Sequence, residues 1–212
     1  NLKNKKMSKL KLDIPLENIW VSSDLHFGHK NIVGPNISNW DKGYRTFNSI
    51  PEMDEELLIQ INNNVDEDDY FFILGDFAYL NRLPVEWYRK QITCKNIILI
   101  RGNHDNENAI QRGGFSAIYD YLEIEVGGEY ICMFHYKPFI WNRMHKNSIF
   151  LYGHSHGTAE HTTIGKSMDV CPEVAYSLYG EYRPFNLAND ILPIMNKREV
   201  KVLDHHNSNT GR

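Results

Sequence analysis

Residues 97–105 read IILIRGNHD. Four branched aliphatics in succession have the composition of a buried strand, and the run is too short to show a helical period. It stops at Arg101, and Gly102, Asn103, His104 and Asp105 follow, a polar turn opened by a residue without a Cβ. The same pattern recurs in both directions along the chain. Residues 18–22 (NIWVS) lead through Ser23 into Asp24-Leu25-His26, and residues 70–74 (YFFIL) lead into Gly75-Asp76. Residues 131–134 (ICMF) lead into His135, and residues 149–152 (IFLY) lead into Gly153-His154-Ser155-His156. Aromatic and β-branched runs that each close on a polar cluster predict buried strands. Their ends are expected together on one edge of an open α/β sheet, where such folds place ligand sites.

Helical signals lie between the runs. Pro51 followed by EMDEELLIQIN predicts a helix with proline in its first turn, acidic residues at its N-terminal end, and an apolar stripe of Met53, Leu57, Leu58 and Ile61. A second helix is expected over Val85–Gln91. Residues 122–126 and 131–134 flank Gly127-Gly128, a hairpin signal. Strands alternating with helices, then a hairpin-rich second half, predict a layered α/β domain. The lysine-rich residues 1–10 are expected to lie outside the fold as a disordered or appended segment. Residues 204–212, with His205 and His206, read as a polar tail, leaving a single domain over residues 11–203.

Composition narrows the class of function. A chain of 212 residues with 42% hydrophobic and 12% aromatic content is a compact folded protein rather than a disordered one. A formal charge of −4 and a sequence pI near 6.2 provide no net positive field for duplex nucleic acid. Cys94, Cys132 and Cys171 are unclustered, which predicts a reducing, cytoplasmic setting without a disulfide framework. No apolar run approaches the length of a membrane span.

The residues that close the strands carry oxygen and imidazole donors and no thiolate. Such ligands suit manganese first, with iron, zinc, nickel or cobalt as alternatives, and disfavour a thiolate-rich structural zinc site. In Asp24-x-His26 and His154-x-His156 the period of two sets both side chains on one face of an extended segment. Seven candidates (Asp24, His26, Asp76, Asn103, His135, His154 and His156) exceed what one tetrahedral ion needs and suit two ions sharing a carboxylate. Any one of them alone is as readily a loop-end polar residue. Their joint occurrence, each group closing a separate strand, is what points to metal.

Taken in order, Asp24-x-His26, Gly75-Asp76, Gly102-Asn103-His104-Asp105, His135 and Gly153-His154-Ser155-His156 resemble the motif set of the calcineurin-like metallophosphoesterase superfamily over roughly residues 18–185. SDLHFGHKNI, the helix near PEMDEELL, DDYFFILGDFA and MDV…YRPFNL are similar to a small bacterial and phage branch of it with an SDxHFGHxNI motif. The resemblance implies an αββα four-layer sandwich, two packed mixed sheets with helices outside. It also implies two divalent ions. One would take Asp24, His26, Asp76 and His156, and the other Asp76, Asn103, His135 and His154, with Asp76 bridging. His104 then matches the catalytic histidine, and Asp105 the residue that orients it. Lys137 and the long segment 171–180 (CPEVAYSLYG) depart from the branch, beside the expected substrate pocket and away from the metal positions.

His29 and Arg45 are candidate substrate-binding residues, each weighed against a structural role; Arg45 could clamp two phosphate oxygens. Phe134, Tyr136, Phe139 and Trp141 could stack a base, with core packing as the alternative. The expected activity is hydrolysis of a small, nucleotide-like phosphate monoester or diester, with the attacking hydroxide generated between the two ions. The alternatives are a nuclease or phosphoprotein phosphatase of the same superfamily, or a metal-free binding scaffold. The last is disfavoured because no ligand position is replaced.

Overall fold

The computed structural model describes residues 5–38, 45–79, 82–162 and 164–203; residues 1–4 and the expected tail at 204–212 lie outside the described residues. Among the described residues nine strands are formed: β1 (Lys5–Lys11), β2 (Ile19–Ser22), β3 (Tyr70–Ile73), β4 (Asn96–Ile100), β5 (Ala117–Val126), β6 (Glu129–Met133), β7 (Ile149–Tyr152), β8 (Ser167–Asp169) and β9 (Phe185–Asn186). The α-helices are α1 (Ile50–Asn64), α2 (Val85–Gln91), α3 (Glu107–Arg112), α4 (Pro172–Tyr179) and α5 (Leu192–Met195).

The expected mixed α/β class holds, but the strands do not separate into two sheets. They join in one curled sheet of order β8-β7-β6-β5-β4-β3-β2-β9, with β1 beside β5. The ten-residue β5 is long enough to serve both halves: residues 117–119 pair parallel with β4, and residues 122–126 pair antiparallel with β6. Strands β2, β3 and β4 run parallel to one another, as do β6, β7 and β8. The two sets approach β5 from opposite directions. Ile100, the last residue of β4, pairs with Tyr119, while Met133, the last residue of β6, pairs with Leu122. Three residues of strand cover about 10 Å. Polar segments following both sets of strands therefore meet across a narrow gap, which replaces the expected single edge of an open sheet.

Alternation along the strands divides the core. Ile19 and Val21, Phe72, Ile98, Leu122 and Ile124, Ile131 and Met133, and Ile149 and Leu151 share one buried cluster drawn from both halves of the sheet. Their neighbours Phe71, Ile73, Ile97 and Leu99 point the other way and pack with Met53, Leu57 and Ile61 of α1, Val85 and Tyr88 of α2, and Ile110 of α3. Leu58 of the expected stripe is only partly buried against that cluster. On the second half, Cys132, Phe150 and Tyr152 turn outward onto Trp141 and Met144. Helix α1 begins as its sequence predicts: Ser49 accepts a hydrogen bond from the Glu52 N–H at 3.2 Å, and Pro51 lies in the first turn. The β5–β6 hairpin turns through Gly127 and Gly128 with φ of 55° and 86°, the left-handed pair that a two-residue type I′ turn requires.

The N-terminal expectation is corrected. Residues 5–10 do not lie outside the fold but form most of β1, paired parallel with β5 from Lys5↔Tyr119 to Lys11↔Glu125. A lysine-rich strand is tolerated there because it lies at an edge, where a charge such as Lys9 meets Glu125 at 2.9 Å.

Candidate metal centre

Asp24, His26, Asp76, His135 and His156 form one cluster, in which ligand atoms of Asp24, His26 and His156 lie within 4.8 Å of one another, as do those of Asp24, Asp76 and His135. The expected arrangement made Asp76 the shared carboxylate; the geometry makes Asp24 common to both groups. Asp76 Oδ2 also lies between two imidazoles, 3.7 Å from His26 Nε2 and 3.5 Å from His135 Nε2. Asn103 joins through Oδ1, 3.0 Å from His135 Nε2. His154 is exposed at the rim, its ring centroid 5.2 Å from that of His135.

The three buried or half-buried histidines are held alike. His135 Nδ1 donates to the Leu74 carbonyl at 2.8 Å, His156 Nδ1 lies 3.0 Å from Glu173 Oε1, and His26 Nδ1 lies 3.2 Å from His29 Nδ1. In each the Nε2 is directed at the carboxylates, the orientation that an outer hydrogen-bond partner imposes on a metal-binding imidazole. Burial alone would lower the pKa of His135, but the Asp76 and Asp24 carboxylates outweigh it and raise it to about 9. Burial likewise works against ionised Asp76, yet His135 and His26 hold its carboxyl down at about 2. The cluster thus has the charge pattern of a cation site, with a proton on His135 where a metal would relieve it.

Two further observations fit a metal. Asp24 Oδ1 is buried without a hydrogen-bond partner while lying 3.7 Å from both His26 Nε2 and His156 Nε2. An unpaired buried carboxylate oxygen is costly unless something positive completes it. Asp24, His26, Asp76, His154 and His156 also have positive φ, between 48° and 67°. Non-glycine residues rarely adopt this region, and such strain gathers at functional sites. Gly153 allows the close approach, since a Cβ there would overlap Asp24 Oδ2 and Ser23.

The turns are braced from behind by acids. Asp105 accepts from the backbone N–H groups of Asp76 and Phe77 at 2.9 Å and of Gly102 at 2.8 Å, and burial pushes its carboxyl up to about 6. In place of the expected orienting contact with His104, both of its oxygens bind backbone amides, and among the described residues no hydrogen bond joins it to the His104 ring. His104 is exposed, its N–H on Asp76 Oδ1 at 2.8 Å and its ring 5.5 Å from that of His26. Asp169 accepts from Ser155 Oγ at 2.5 Å, Gly157 N at 2.9 Å and Cys171 N at 3.0 Å, and so fixes the His154–His156 turn. Asp54 of α1 accepts from Gly28 N and Tyr88 Oη, each at 2.8 Å, behind the His26 turn.

The two substrate candidates are also relocated. Arg45 is fully buried and faces the Asp24 and Leu25 carbonyls and Glu173, so it presents nothing to a phosphate. His29 is buried behind His26 and stacked on Tyr79 at 4.3 Å; burial takes its pKa down to about 4. The aromatic set divides, with Trp141 in the core and Phe134 packed on it, while Tyr136 and Phe139 are exposed and Tyr136 touches the His154 ring at 4.7 Å. Segment 171–180 contains α4, and its Glu173 reaches His156, so this departure does touch the metal positions. Sequence reading missed Glu173, Asp169 and Asp54. The one local signal was Pro172-Glu173, a helix start. A cleft of about 540 Å³ opens beside His156, lined by Glu173, Val174, Leu178, Met168, Ile194 and Arg198 among others.

Residues 17–212 match the family model for calcineurin-like phosphoesterases, and the chain belongs to that family, whose members generally bind divalent metals. An uncharacterized protein of Methanocaldococcus jannaschii is 34% identical over 92 residues, 42% of this chain and 48% of that protein, so the chain spans about half the length of this curated relative. A protein of unknown function from Aquifex aeolicus shares the fold with a TM-score of 0.59 at 23% identity, over 79% of this chain and 94% of that one. The phosphoesterase Yfce of E. coli aligns over 73% of this chain and 78% of its own with a TM-score of 0.43 at 17% identity. Among the described residues no helix is long and apolar enough to cross a membrane.

Proposed function

We propose that this protein is a dinuclear metal-dependent phosphoesterase acting on a small, nucleotide-like phosphate monoester or diester. The observation that carries the reading is the buried, unpartnered Asp24 Oδ1 set between the Nε2 atoms of His26 and His156, within two ligand groups that share Asp24. Asp24, His26 and His156 would hold one ion. Asp76, His135, Asn103 and His154 would hold the other, with Asp24 and Asp76 between them. The donor set of imidazole nitrogens and carboxylate oxygens suits manganese or a similar divalent ion, and no cysteine sulfur enters it. When bound, such a pair of ions acidifies water and neutralises charge on a phosphoryl group.

The chain's own residues do the rest. His104 is exposed on the turn that Gly102 opens, its ring 5.5 Å from that of His26, and in this reading its imidazole would give a proton to the leaving oxygen. Tyr136, exposed beside His154, offers an aromatic face to a base or an aryl group. A net charge of −4 favours a small ester over duplex nucleic acid.

The test is to strip the purified protein of metal, restore manganese, and follow hydrolysis of p-nitrophenyl phosphate and bis-p-nitrophenyl phosphate. Activity should need the metal, and Asp76→Asn and Asp24→Asn should abolish it. Unchanged hydrolysis after exhaustive chelation would end the proposal.

A further inference from the structure

Arg45 and Glu173 are 128 residues apart in the chain and meet through Arg45 Nε and Glu173 Oε1 at 2.9 Å. Arg45 has 0% relative exposure. Its two terminal nitrogens donate to the Asp24 carbonyl at 2.5 Å and the Leu25 carbonyl at 2.8 Å. Glu173 Oε1 also faces His156 Nδ1 at 3.0 Å. One guanidinium therefore touches the backbone of a candidate ligand and, through one carboxylate oxygen, the ring of another. The planar fork of arginine suits this task, because its N–H groups diverge in fixed directions that a lysine ammonium cannot reproduce.

We propose that Arg45 and Glu173 are a positioning pair for the metal centre, coupling the Asp24 turn to the His156 ring; the inference rests on the metal-binding reading above. Glu173 can accept only from a His156 that carries its proton on Nδ1, and this leaves the Nε2 lone pair directed at Asp24. Arg45 fixes the Glu173 carboxylate from the other side and holds the Asp24 and Leu25 carbonyls, so Asp24 keeps its left-handed backbone at φ 48°. The second glutamate oxygen, Oε2, is buried without a partner, so the carboxylate is not in place to satisfy the fold at large. Among the described residues its hydrogen-bond partners are Arg45 and His156.

The experiment measures manganese and zinc affinity of metal-stripped full-length protein by calorimetry, for wild type, Glu173→Ala, Glu173→Gln and Arg45→Lys. Removing an outer partner of a ligating histidine typically costs about 10–100-fold in metal affinity, and Glu173→Ala should lose that much. Glu173→Gln keeps an oxygen facing His156 and should recover part of the loss, which a residue acting only through overall stability would not do. In zinc-loaded protein the His156 Nδ1–H resonance should be seen in wild type and vanish in Glu173→Ala. Wild-type affinity in Glu173→Ala overturns the pairing and leaves the metal reading standing. A wild-type protein that binds neither ion overturns both. Should Glu173→Ala not fold, Arg45→Lys decides: it keeps a buried cation but cannot make all three contacts, and unaltered affinity there refutes the proposal.

Discussion

Replacing Asp105 with alanine separates two accounts of this residue. If it orients His104, the loss falls on catalysis. If it braces the Asp76 turn, the loss falls on stability and metal binding. The structure supports the second account, with three backbone N–H groups at 2.8–2.9 Å on one carboxylate. Hydrogen bonds to a charged acceptor contribute roughly 1.5–3 kcal/mol each, so the three together amount to about 4–9 kcal/mol. Against this stands the cost of keeping the carboxylate ionised where burial has moved its pKa from 3.8 to about 6. That shift is worth about 3 kcal/mol at neutral pH. Asp105→Ala should therefore destabilise the protein by about 1–6 kcal/mol, the upper end applying if water cannot reach the released amides. Urea unfolding of the metal-free protein measures this, and the loss should be the same in a His104→Ala background, because the two side chains do not meet. Manganese affinity should fall as well, since the Asp76 and Phe77 amides are released together. A variant of wild-type stability and metal affinity, slowed only when His104 is present, would refute the reasoning.

His104→Ala should retain both metals and lose roughly 10²–10⁴-fold in kcat, with a smaller loss for p-nitrophenyl esters, whose leaving group needs little protonation; metal content and kcat measured together decide it. His135 gives opposite trends with pH. Its folded pKa of about 9 exceeds the ordinary 6.5, so its contribution to metal-free stability is fully present below pH 6.5 and is lost as pH rises through 9. Metal affinity should climb over the same interval, because binding no longer has to displace that proton. Unfolding midpoints of wild type and His135→Gln that run parallel from pH 6.5 to 9 would contradict this. Asp54→Ala removes the acceptor for Gly28 N and Tyr88 Oη and should cost about 2–4 kcal/mol in thermal or urea unfolding, with metal content at saturation unchanged.

What was legible in the sequence is what is written locally. The strands that lead to His26, Asp76, Asn103, His135 and His156 announce themselves by composition, and the polar residues that follow them meet at the site. Helix α1 carries its own cap and stripe, and Gly127-Gly128 its own turn. The illegible part consists of pairs. Arg45 resembles a phosphate clamp until its partner 128 residues away is seen, and Glu173 resembles an ordinary first-turn acid of α4. Asp105 sits beside His104 in sequence, which suggests an interaction between them, whereas its carboxylate turns to three backbone amides instead. β1 was hidden for a related reason: a strand at an edge needs no apolar period, since β5 completes it.

These missed residues share one task, and it accounts for the backbone of the site. A left-handed non-glycine residue costs roughly 1–2 kcal/mol, and five of the seven candidate ligands adopt that conformation. The cost must be met nearby or the turns would relax. Behind Asp24 and His26 stand Arg45, on the Asp24 and Leu25 carbonyls, and Asp54, on the Gly28 amide. Behind Asp76 stands Asp105. Behind His154 and His156 stands Asp169, on Ser155 and Gly157, while Asp24 itself takes the His154 amide at 2.8 Å. Each of these is a bond to a charged group, the kind worth roughly 1.5–3 kcal/mol, so each is comparable to the strain it offsets. Candidate ligands and braces therefore form two layers with opposite demands. The inner layer needs oxygen and nitrogen donors in a strained backbone, and the outer layer needs buried charges fully engaged with that backbone. A substitution in the outer layer should accordingly act on metal affinity and stability together, whereas His104, which braces nothing with its side chain, is the position where the two can be separated from catalysis.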